Sequence, residues 1–125
     1  MLYPDNLKYT EDHEWIKIDE KICFIGITNY AQDKLGDIAY IDIEEDLKAV
    51  NKGECFGTIE AVKAVADLNS PVTGKVIEIN VSLNDDPSVI NTDPYNAGWM
   101  IKVELSNPDE LGELMTAGEY IDFIK

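Results

Sequence analysis

The sequence predicts a mainly β protein, an antiparallel sandwich or barrel decorated by short helices. Short apolar runs that alternate or are rich in β-branched residues recur along the chain, and stretches with turn chemistry separate them. Near the C-terminus, the apolar spacing changes to that of a helix. The chain has 125 residues, the size of one domain, so we expect residues 1–125 to form a single domain.

The first half of the chain contains three predicted strands and one short helix. The strands cover 15–18, 22–27 and 37–43, and the helix covers 30–35. Thr28 is expected to cap the helix, which Gly36 ends. The alternation in the third strand indicates that one of its faces is solvated.

The second half contains three more predicted strands, followed by helical segments. The strands cover 55–59, 72–81 and 99–105, with a turn at 51–53 and loops at 84–87 and 91–94. A helix is expected to open at 106–108 and to place Leu111, Leu114 and Met115 on one face, with a further helical turn around Tyr120, Phe123 and Ile124. Gly74 inside a strand indicates a bulge or a close approach of another backbone.

The net charge of −15, from 10 Lys+Arg against 25 Asp+Glu, restricts the classes of partner. Such a chain cannot neutralise a phosphate backbone, so nucleic-acid binding is disfavoured. Binding to an anionic membrane surface is disfavoured for the same reason. A partner with a basic docking face is favoured by long-range attraction, although the charge is equally compatible with a role in solubility alone.

The cysteines, the histidine and the hydropathy of the chain indicate a cellular compartment and argue against a zinc site. Cys23 and Cys55 lie in apolar runs, so we expect buried free thiols, and with only one histidine there are too few soft ligands for a zinc site. No apolar stretch reaches membrane-spanning length, and the N-terminal residues resemble neither a signal peptide nor a presequence. A reducing cytoplasm is therefore expected.

His13 is the one histidine of the chain, and no Ser or Cys is placed to form a catalytic relay with it. A packing or hydrogen-bonding role is therefore expected for His13.

Lys63 lies among small apolar residues, between Val62 and Ala64. A lysine held at a tight turn by small neighbours is suited to acylation by another protein, and an acyl arm on its amine would reach about 10–15 Å. A Schiff-base lysine needs a neighbouring base, which the surrounding sequence does not supply. From spacing alone, an ordinary surface lysine is the commoner interpretation.

Several ordered segments resemble the glycine cleavage system H-protein family. Residues 60–64 (EAVKA), Asp67 and 70–74 (SPVTG) resemble the lipoyl-attachment segment of that family. The chain is similar to the family elsewhere too, in YTEDHEW (9–15), IGITNYAQDKLGDI (25–38), INTDPYNAGWMIKV (90–103) and the closing 106–125. Together the segments cover nearly the whole chain, which makes the resemblance specific.

The resemblance implies a lipoyl/biotinyl-like barrel-sandwich hybrid of antiparallel strands with short helices, including a C-terminal helical segment. It implies a monomeric, non-catalytic carrier with lipoate attached to Lys63 as an amide. The carrier would take an aminomethyl group from glycine decarboxylase (P protein) and pass it to a tetrahydrofolate-dependent aminomethyltransferase (T protein). Dihydrolipoyl dehydrogenase (L protein) would reoxidise the dithiol, and lipoylating enzymes would be further partners.

The resemblance also implies roles for other residues. Glu14 and Asp67 would receive the cationic amine of the loaded arm, with Asp67 favoured because it is nearer to the lysine in sequence, and Leu35 would line the apolar part of the cleft. As ordinary structure, Glu14 would be a solvated glutamate at a strand end and Asp67 a turn residue. Glu60 and Gly74 match positions that the family presents to the lipoylating enzyme, although Gly74 is first interpreted as structural.

The chain departs from the family pattern at three positions. Ala61 replaces a common Ser, and Glu44 and Leu47 replace the Pro and Gly of the preceding turn, which we therefore expect to be rebuilt. Two alternative functions stay open. A biotin carrier would share the fold, although methionines usually flank its lysine, and an H-protein-like relay that passes lipoate to other complexes would keep the same lysine.

Overall fold

A computed structural model describes residues 2–125, which form two antiparallel sheets and several short helices. The strands are β1 (Lys8–Tyr9), β2 (Glu14–Asp19), β3 (Ile22–Ile27), β4 (Ile38–Asp42), β5 (Ala49–Val50), β6 (Cys55–Ala61), β7 (Val65–Asn69), β8 (Gly74–Ile79) and β9 (Ile101–Leu105). The helices are α1 (Asn29–Leu35), α2 (Ser82–Asp85), α3 (Val89–Thr92) and α4 (Ala117–Phe123), with a 3-10 helix over Pro108–Glu113. None of the described helices is long and apolar enough to cross a membrane.

One sheet has six strands in the order β1-β2-β3-β9-β8-β5, and the other has three in the order β4-β6-β7. The main core draws side chains from both sheets, such as Ile25 and Val103 from the first and Ile59 and Leu68 from the second. The core therefore lies between the sheets, where each large aliphatic side chain contributes about 1.5–3 kcal/mol by burial. The predicted mainly β class with short helices is confirmed.

The start and end of α1 follow from its sequence. The Thr28 side chain accepts a hydrogen bond from the Ala31 N–H (3.2 Å), as the cap prediction requires. Gly36 ends the helix with φ of 82°, a left-handed conformation that glycine adopts without a Cβ clash. Both predictions are confirmed, although the helix begins at Asn29.

Several predicted elements differ in the structure. Loops were expected at 84–87 and 91–94, but the single-turn helices α2 and α3 occupy much of this region, because the buried Leu83 and Ile90 anchor each turn. The alternation predicted over 37–43 is interrupted by a register shift between Ile38 and Tyr40. The helix expected to include Met115 ends earlier, because the Met115 backbone pairs with Tyr9 instead (N···O 2.9 Å in both directions).

The two cysteines differ in burial. Cys23 is buried as expected, and burial raises the pKa of its thiol to about 12. The prediction for Cys55 was wrong, because the Cys55 side chain is exposed. The β6–β7 register is irregular between Cys55 and Gly57, and the Cys55 thiol contacts the Gly57 carbonyl (3.1 Å).

The turn that contains Glu44 and Leu47, where the chain departs from the family pattern, closes without a left-handed backbone conformation at Leu47. The Leu47 N–H donates to the Glu44 carbonyl (3.1 Å), and the Leu47 side chain packs against the core. Among the described residues, the non-glycine residues with positive φ are His13 and Glu20, so Leu47 needs no glycine-like conformation.

Candidate functional site

Lys63 lies at the tip of the hairpin that joins β6 to β7. The Ala61 N–H donates to the Ala64 carbonyl (2.9 Å) and closes the hairpin, so Val62 and Lys63 form its two-residue tip. Both tip residues are exposed, and Val62 retains 77% of its accessible surface. The local sequence pattern thus corresponds to a projecting lysine on a short, closed loop.

The hairpin tip is attached to the C-terminal end of α1. The Val62 N–H donates to the Asp37 carbonyl (3.1 Å), and the Lys63 N–H donates to the Leu35 carbonyl (3.1 Å). The second bond satisfies a carbonyl that the end of a helix leaves without an intrahelical partner. The stem of the lysine side chain crosses Gly36, where a Cβ would lie 3.3 Å from Lys63 Cγ. The backbone of the lysine is therefore fixed relative to α1.

The amine of Lys63 has only a weak partner. Lys63 Nζ donates to the Asp33 carbonyl at 3.5 Å, at the end of α1 where the helix dipole favours a positive charge. The salt bridges among the described residues involve Lys52, Lys102 and Lys125 and leave Lys63 free. A modifying enzyme can therefore reach this amine at small energetic cost.

A cleft of about 260 Å³ lies beside α1. It brings together Glu14 from β2, Leu35 from α1 and Asp67 from β7, the three residues predicted to share a cleft. Its other lining residues are Asp12, His13, Ile27, Tyr30, Ala31, Lys34, Ile59, Ala66 and Leu68. The cleft thus combines an apolar interior with three carboxylates and one lysine.

Glu14 is the buried carboxyl group of the cleft, with 3% of its surface accessible. Interpreting it as a solvated strand-end glutamate was wrong, because the Glu14 side chain is buried although it stands at the start of β2. Its two carboxyl oxygens accept hydrogen bonds from the Thr10 hydroxyl (3.1 Å) and the Asn69 N–H (3.0 Å). Burial raises the pKa of Glu14 to about 8; the charge of Asp12 adds to this rise, and the two hydrogen bonds oppose it.

Several residues that line the cleft were not predicted from the sequence. Tyr30 and Lys34 lie four residues apart on α1, and Ala31 and Leu35 repeat that spacing. The spacing shows which residues share a face of the helix, but only the packing against β2 and β7 shows that this face lines a cleft. Asp12 is exposed and contributes a third carboxylate near Glu14.

Glu60 and Gly74 lie in different sheets. Glu60 is exposed on β6, opposite Tyr40 and Val65, on the hairpin that carries Lys63. Gly74 is buried at the start of β8, where an added Cβ would meet the Glu104 carbonyl of β9. The structure accounts for Gly74 by the close approach of a backbone, without reference to the lysine.

A lysine at a hairpin tip, set beside an acidic cleft on an antiparallel β scaffold, is the arrangement that suits a carrier protein with a covalently attached arm. The family model for the glycine cleavage H-protein matches residues 7–125. The glycine cleavage system H protein of Staphylococcus epidermidis is 42% identical over 124 residues, covering 99% of this chain and 98% of that protein. The chain therefore belongs to the glycine cleavage H-protein family.

A solved structure agrees with the sequence comparisons. The crystal structure of a glycine cleavage system H protein from Mycobacterium marinum matches with a TM-score of 0.88 at 38% identity, covering 97% of this chain and 98% of that chain. The predicted barrel-sandwich fold is confirmed. The predicted function is confirmed as well: the protein is a lipoyl carrier of the glycine cleavage system, a carrier subunit and not a catalyst.

The burial of Glu14 predicts a pH dependence of stability. The carboxyl has a pKa of about 8 in the folded protein, against 4.5 for an ordinary glutamate, so the folded state retains a proton that the unfolded chain releases. As the pH rises from about 4.5 to about 8, the free energy of unfolding of the wild type should therefore fall relative to that of Glu14→Gln, by up to about 1.4 kcal/mol per pH unit. Outside this range, the difference between the two proteins should not change with pH.

Urea unfolding of both proteins between about pH 5 and about pH 9 measures this difference. The informative quantity is the slope of this difference against pH. The substitution to Gln also replaces a hydrogen-bond acceptor by a donor, which shifts the stability of the variant by the same amount at every pH. Parallel curves for the two proteins would show that Glu14 has an ordinary pKa.

Proposed function

We propose that this chain is a monomeric carrier, folded as a single domain over residues 1–125, with lipoate attached as an amide to Lys63 Nζ. One observation carries the proposal: an exposed amine at the tip of a fixed hairpin, next to an acidic cleft. The flanking Ala61 and Ala64 have small side chains, which leaves space for an enzyme active site around the amine.

The residues present fit a lipoyl group. Acylation removes the positive charge of Lys63, and among the described residues the interaction lost with it is the 3.5 Å contact to the Asp33 carbonyl. When bound, lipoate would supply the disulfide to which the aminomethyl group is transferred. The protein supplies the attachment point and the surface on which the arm rests.

We further propose that the cleft holds the amine end of the loaded arm. Carboxylates bind a protonated amine through charge-assisted hydrogen bonds, and Glu14 and Asp67 both line this cleft. Leu35 and Ile59 supply apolar contact to the rest of the arm. An arriving cation favours the ionised form of Glu14, so amine binding near neutral pH should release a proton.

The length of the arm fits the separation along α1. Lys63 contacts the helix at Asp33 and Leu35, and the cleft is lined by Tyr30 to Leu35 of the same helix. This stretch spans about 8 Å at the usual helical rise. An acyl arm of about 10–15 Å is longer than this stretch, so an arm on Lys63 can extend along the side of the cleft that α1 lines.

The charge and the tip of the hairpin support the proposed partners. These are glycine decarboxylase (P protein), the aminomethyltransferase (T protein), dihydrolipoyl dehydrogenase (L protein) and the lipoylating enzymes. The net charge of −15 favours docking faces that are basic. We propose that the lipoylating enzyme reads Glu60, which is exposed three residues before Lys63. The free thiols of Cys23 and Cys55 support a reducing, cytoplasmic setting.

Intact mass measurement on protein from its native host tests the attachment, with peptide mapping to locate the added group. We expect one lipoyl increment on the peptide that contains Lys63. A biotin increment, or no increment under lipoate-replete growth, would overturn the proposal. Reconstituted glycine decarboxylation with the partner enzymes then separates the roles, because a lipoylated protein that fails this assay would be a lipoate relay.

A further inference from the structure

His13 has an unusual backbone conformation next to the buried Glu14. Its φ of 69° is left-handed, a region that costs a non-glycine residue energy unless its surroundings fix it. Two backbone hydrogen bonds hold the turn: the His13 N–H donates to the Thr10 carbonyl (3.1 Å), and the Thr28 N–H donates to the His13 carbonyl (3.0 Å). The loop that presents Glu14 is therefore tied to the residue that caps α1.

The hydroxyl of Tyr120 joins the same two residues through their side chains. Tyr120 belongs to α4 and is fully buried. Its hydroxyl oxygen lies 2.8 Å from His13 Nδ1 and 2.8 Å from Thr28 Oγ1. One atom of the C-terminal helix thus contacts both the loop before Glu14 and the cap of the helix that carries Leu35.

Only one assignment of donors and acceptors along this chain of hydrogen bonds, from Thr28 through Tyr120 to His13, satisfies every group. Thr28 Oγ1 already accepts the Ala31 N–H (3.2 Å), and the hydrogen bonds of the described residues give its own proton no acceptor other than Tyr120. Tyr120 must then donate to His13 Nδ1. The opposite direction leaves the proton of a buried hydroxyl unpaired, which is costly. His13 therefore carries its proton on Nε2.

The surroundings of His13 support the neutral ring that this direction requires. Burial lowers the pKa of His13, and the charge of Asp12 opposes this shift. The ring packs between Tyr30 of α1 (centroids 4.7 Å apart) and Phe123 of α4 (6.0 Å apart). The charged groups that share its cleft are Asp12, Glu14, Lys34 and Asp67.

We propose that Tyr120 is a positioning residue for the amine cleft. By donating to His13 and accepting from Thr28, it fixes the loop of Glu14 against α1, which carries Leu35. The amine part of this inference rests on the proposed function. The hydrogen-bonded chain itself rests only on the contacts described above, so the two parts can fail separately.

Tyr120→Phe removes the hydroxyl and keeps the ring. Tyr9→Phe is a matched control, because Tyr9 is also buried and stacks on Tyr120 (4.9 Å), but its hydroxyl donates to the Pro4 carbonyl (2.7 Å) and does not contact His13. Side-chain ¹⁵N shifts of His13 at about pH 7.5, where a free histidine is mostly neutral, report the tautomer. We expect an unprotonated Nδ1 in wild type and Tyr9→Phe, and mixed tautomers in Tyr120→Phe.

NMR titration of the unmodified protein with methylammonium chloride tests the positioning role, against sodium chloride at equal ionic strength. We expect shifts at Glu14 and Asp67, and affinity up to about fivefold weaker in Tyr120→Phe, because binding must then order a loop that one buried hydrogen bond no longer fixes. Tyr9→Phe should bind as wild type does. If Tyr120→Phe does not fold, Thr28→Gly compared with Thr28→Ser tests the contact between Thr28 and Tyr120, because glycine is tolerated as a helix cap but has no hydroxyl.

The outcomes separate the two ideas. A proton on Nδ1 in the wild type, or an unchanged tautomer in Tyr120→Phe, would overturn the hydrogen-bonded chain. Methylammonium binding that is equal in wild type and Tyr120→Phe would overturn the positioning role alone. A wild type that shows no methylammonium shifts would overturn the amine cleft of the proposed function, while the tautomer comparison still decides the hydrogen-bonded chain.

Discussion

Lys63→Arg is expected to abolish loading of the protein and, with it, all support of glycine decarboxylation. Arginine retains the positive charge and the length needed to reach the carbonyl of Asp33, so the hairpin tip should fold as before. Its guanidinium cannot be deprotonated under physiological conditions and does not form the amide. The effect is therefore on attachment alone, which intact mass and the reconstituted assay both measure.

Lys21→Arg is the matched control for this change. Lys21 is an exposed lysine in the turn between β2 and β3, so it also lies at a hairpin, outside the cleft. We expect the control to gain the same mass increment as wild type. A lipoyl increment retained by Lys63→Arg would show that the arm is attached elsewhere.

Gly74→Ala is expected to destabilise the protein by about 3 kcal/mol or more, at the upper end of the cost of overpacking. An added Cβ would meet the Glu104 carbonyl oxygen and lie 2.6 Å from Val103 Cγ1. The β8–β9 ladder, which pairs Gly74 with Leu105, prevents the backbone from moving away. Urea unfolding measures the loss.

Gly112→Ala is the control, since Gly112 has no atom within 4 Å of an added Cβ and does not have positive φ. We expect little change in its free energy of unfolding. The pair also separates the two interpretations of Gly74. If Gly74→Ala kept wild-type stability but lost lipoylation, Gly74 would be a recognition residue and the packing argument would be wrong.

The local sequence was sufficient to predict an element wherever residues close together in the chain determine its structure. Thr28 and Gly36 bound α1 because a side-chain cap and a left-handed glycine act within a few residues. Alternating apolar residues indicated most strands for the same reason, since the period of a strand is local. The separate strand β7, the bulge in β4 and the helices α2 and α3 depend on what each segment packs against, and were not predicted.

The candidate site likewise has a part that the sequence indicated and a part that only the structure showed. The resemblance to the family singled out Lys63, whereas spacing alone favoured an ordinary surface lysine. The resemblance implied both Glu14 and Asp67, with Asp67 favoured because it is nearer in sequence, and as ordinary structure Glu14 would have been a solvated strand-end glutamate. In the structure, Glu14 is the buried member of the pair, and Asp67 is exposed.

The sequence by itself therefore determined the mainly β class, the short capped helix and the lysine on its small-residue turn. Only the tertiary structure showed that β2, α1 and β7 line one cleft, and that the hydroxyl of Tyr120, 107 residues after His13, contacts the ring of His13. The physical reason is that burial and long-range hydrogen bonds depend on packing between distant segments. The raised pKa of Glu14 follows from that packing, and so does the tautomer that we infer for His13.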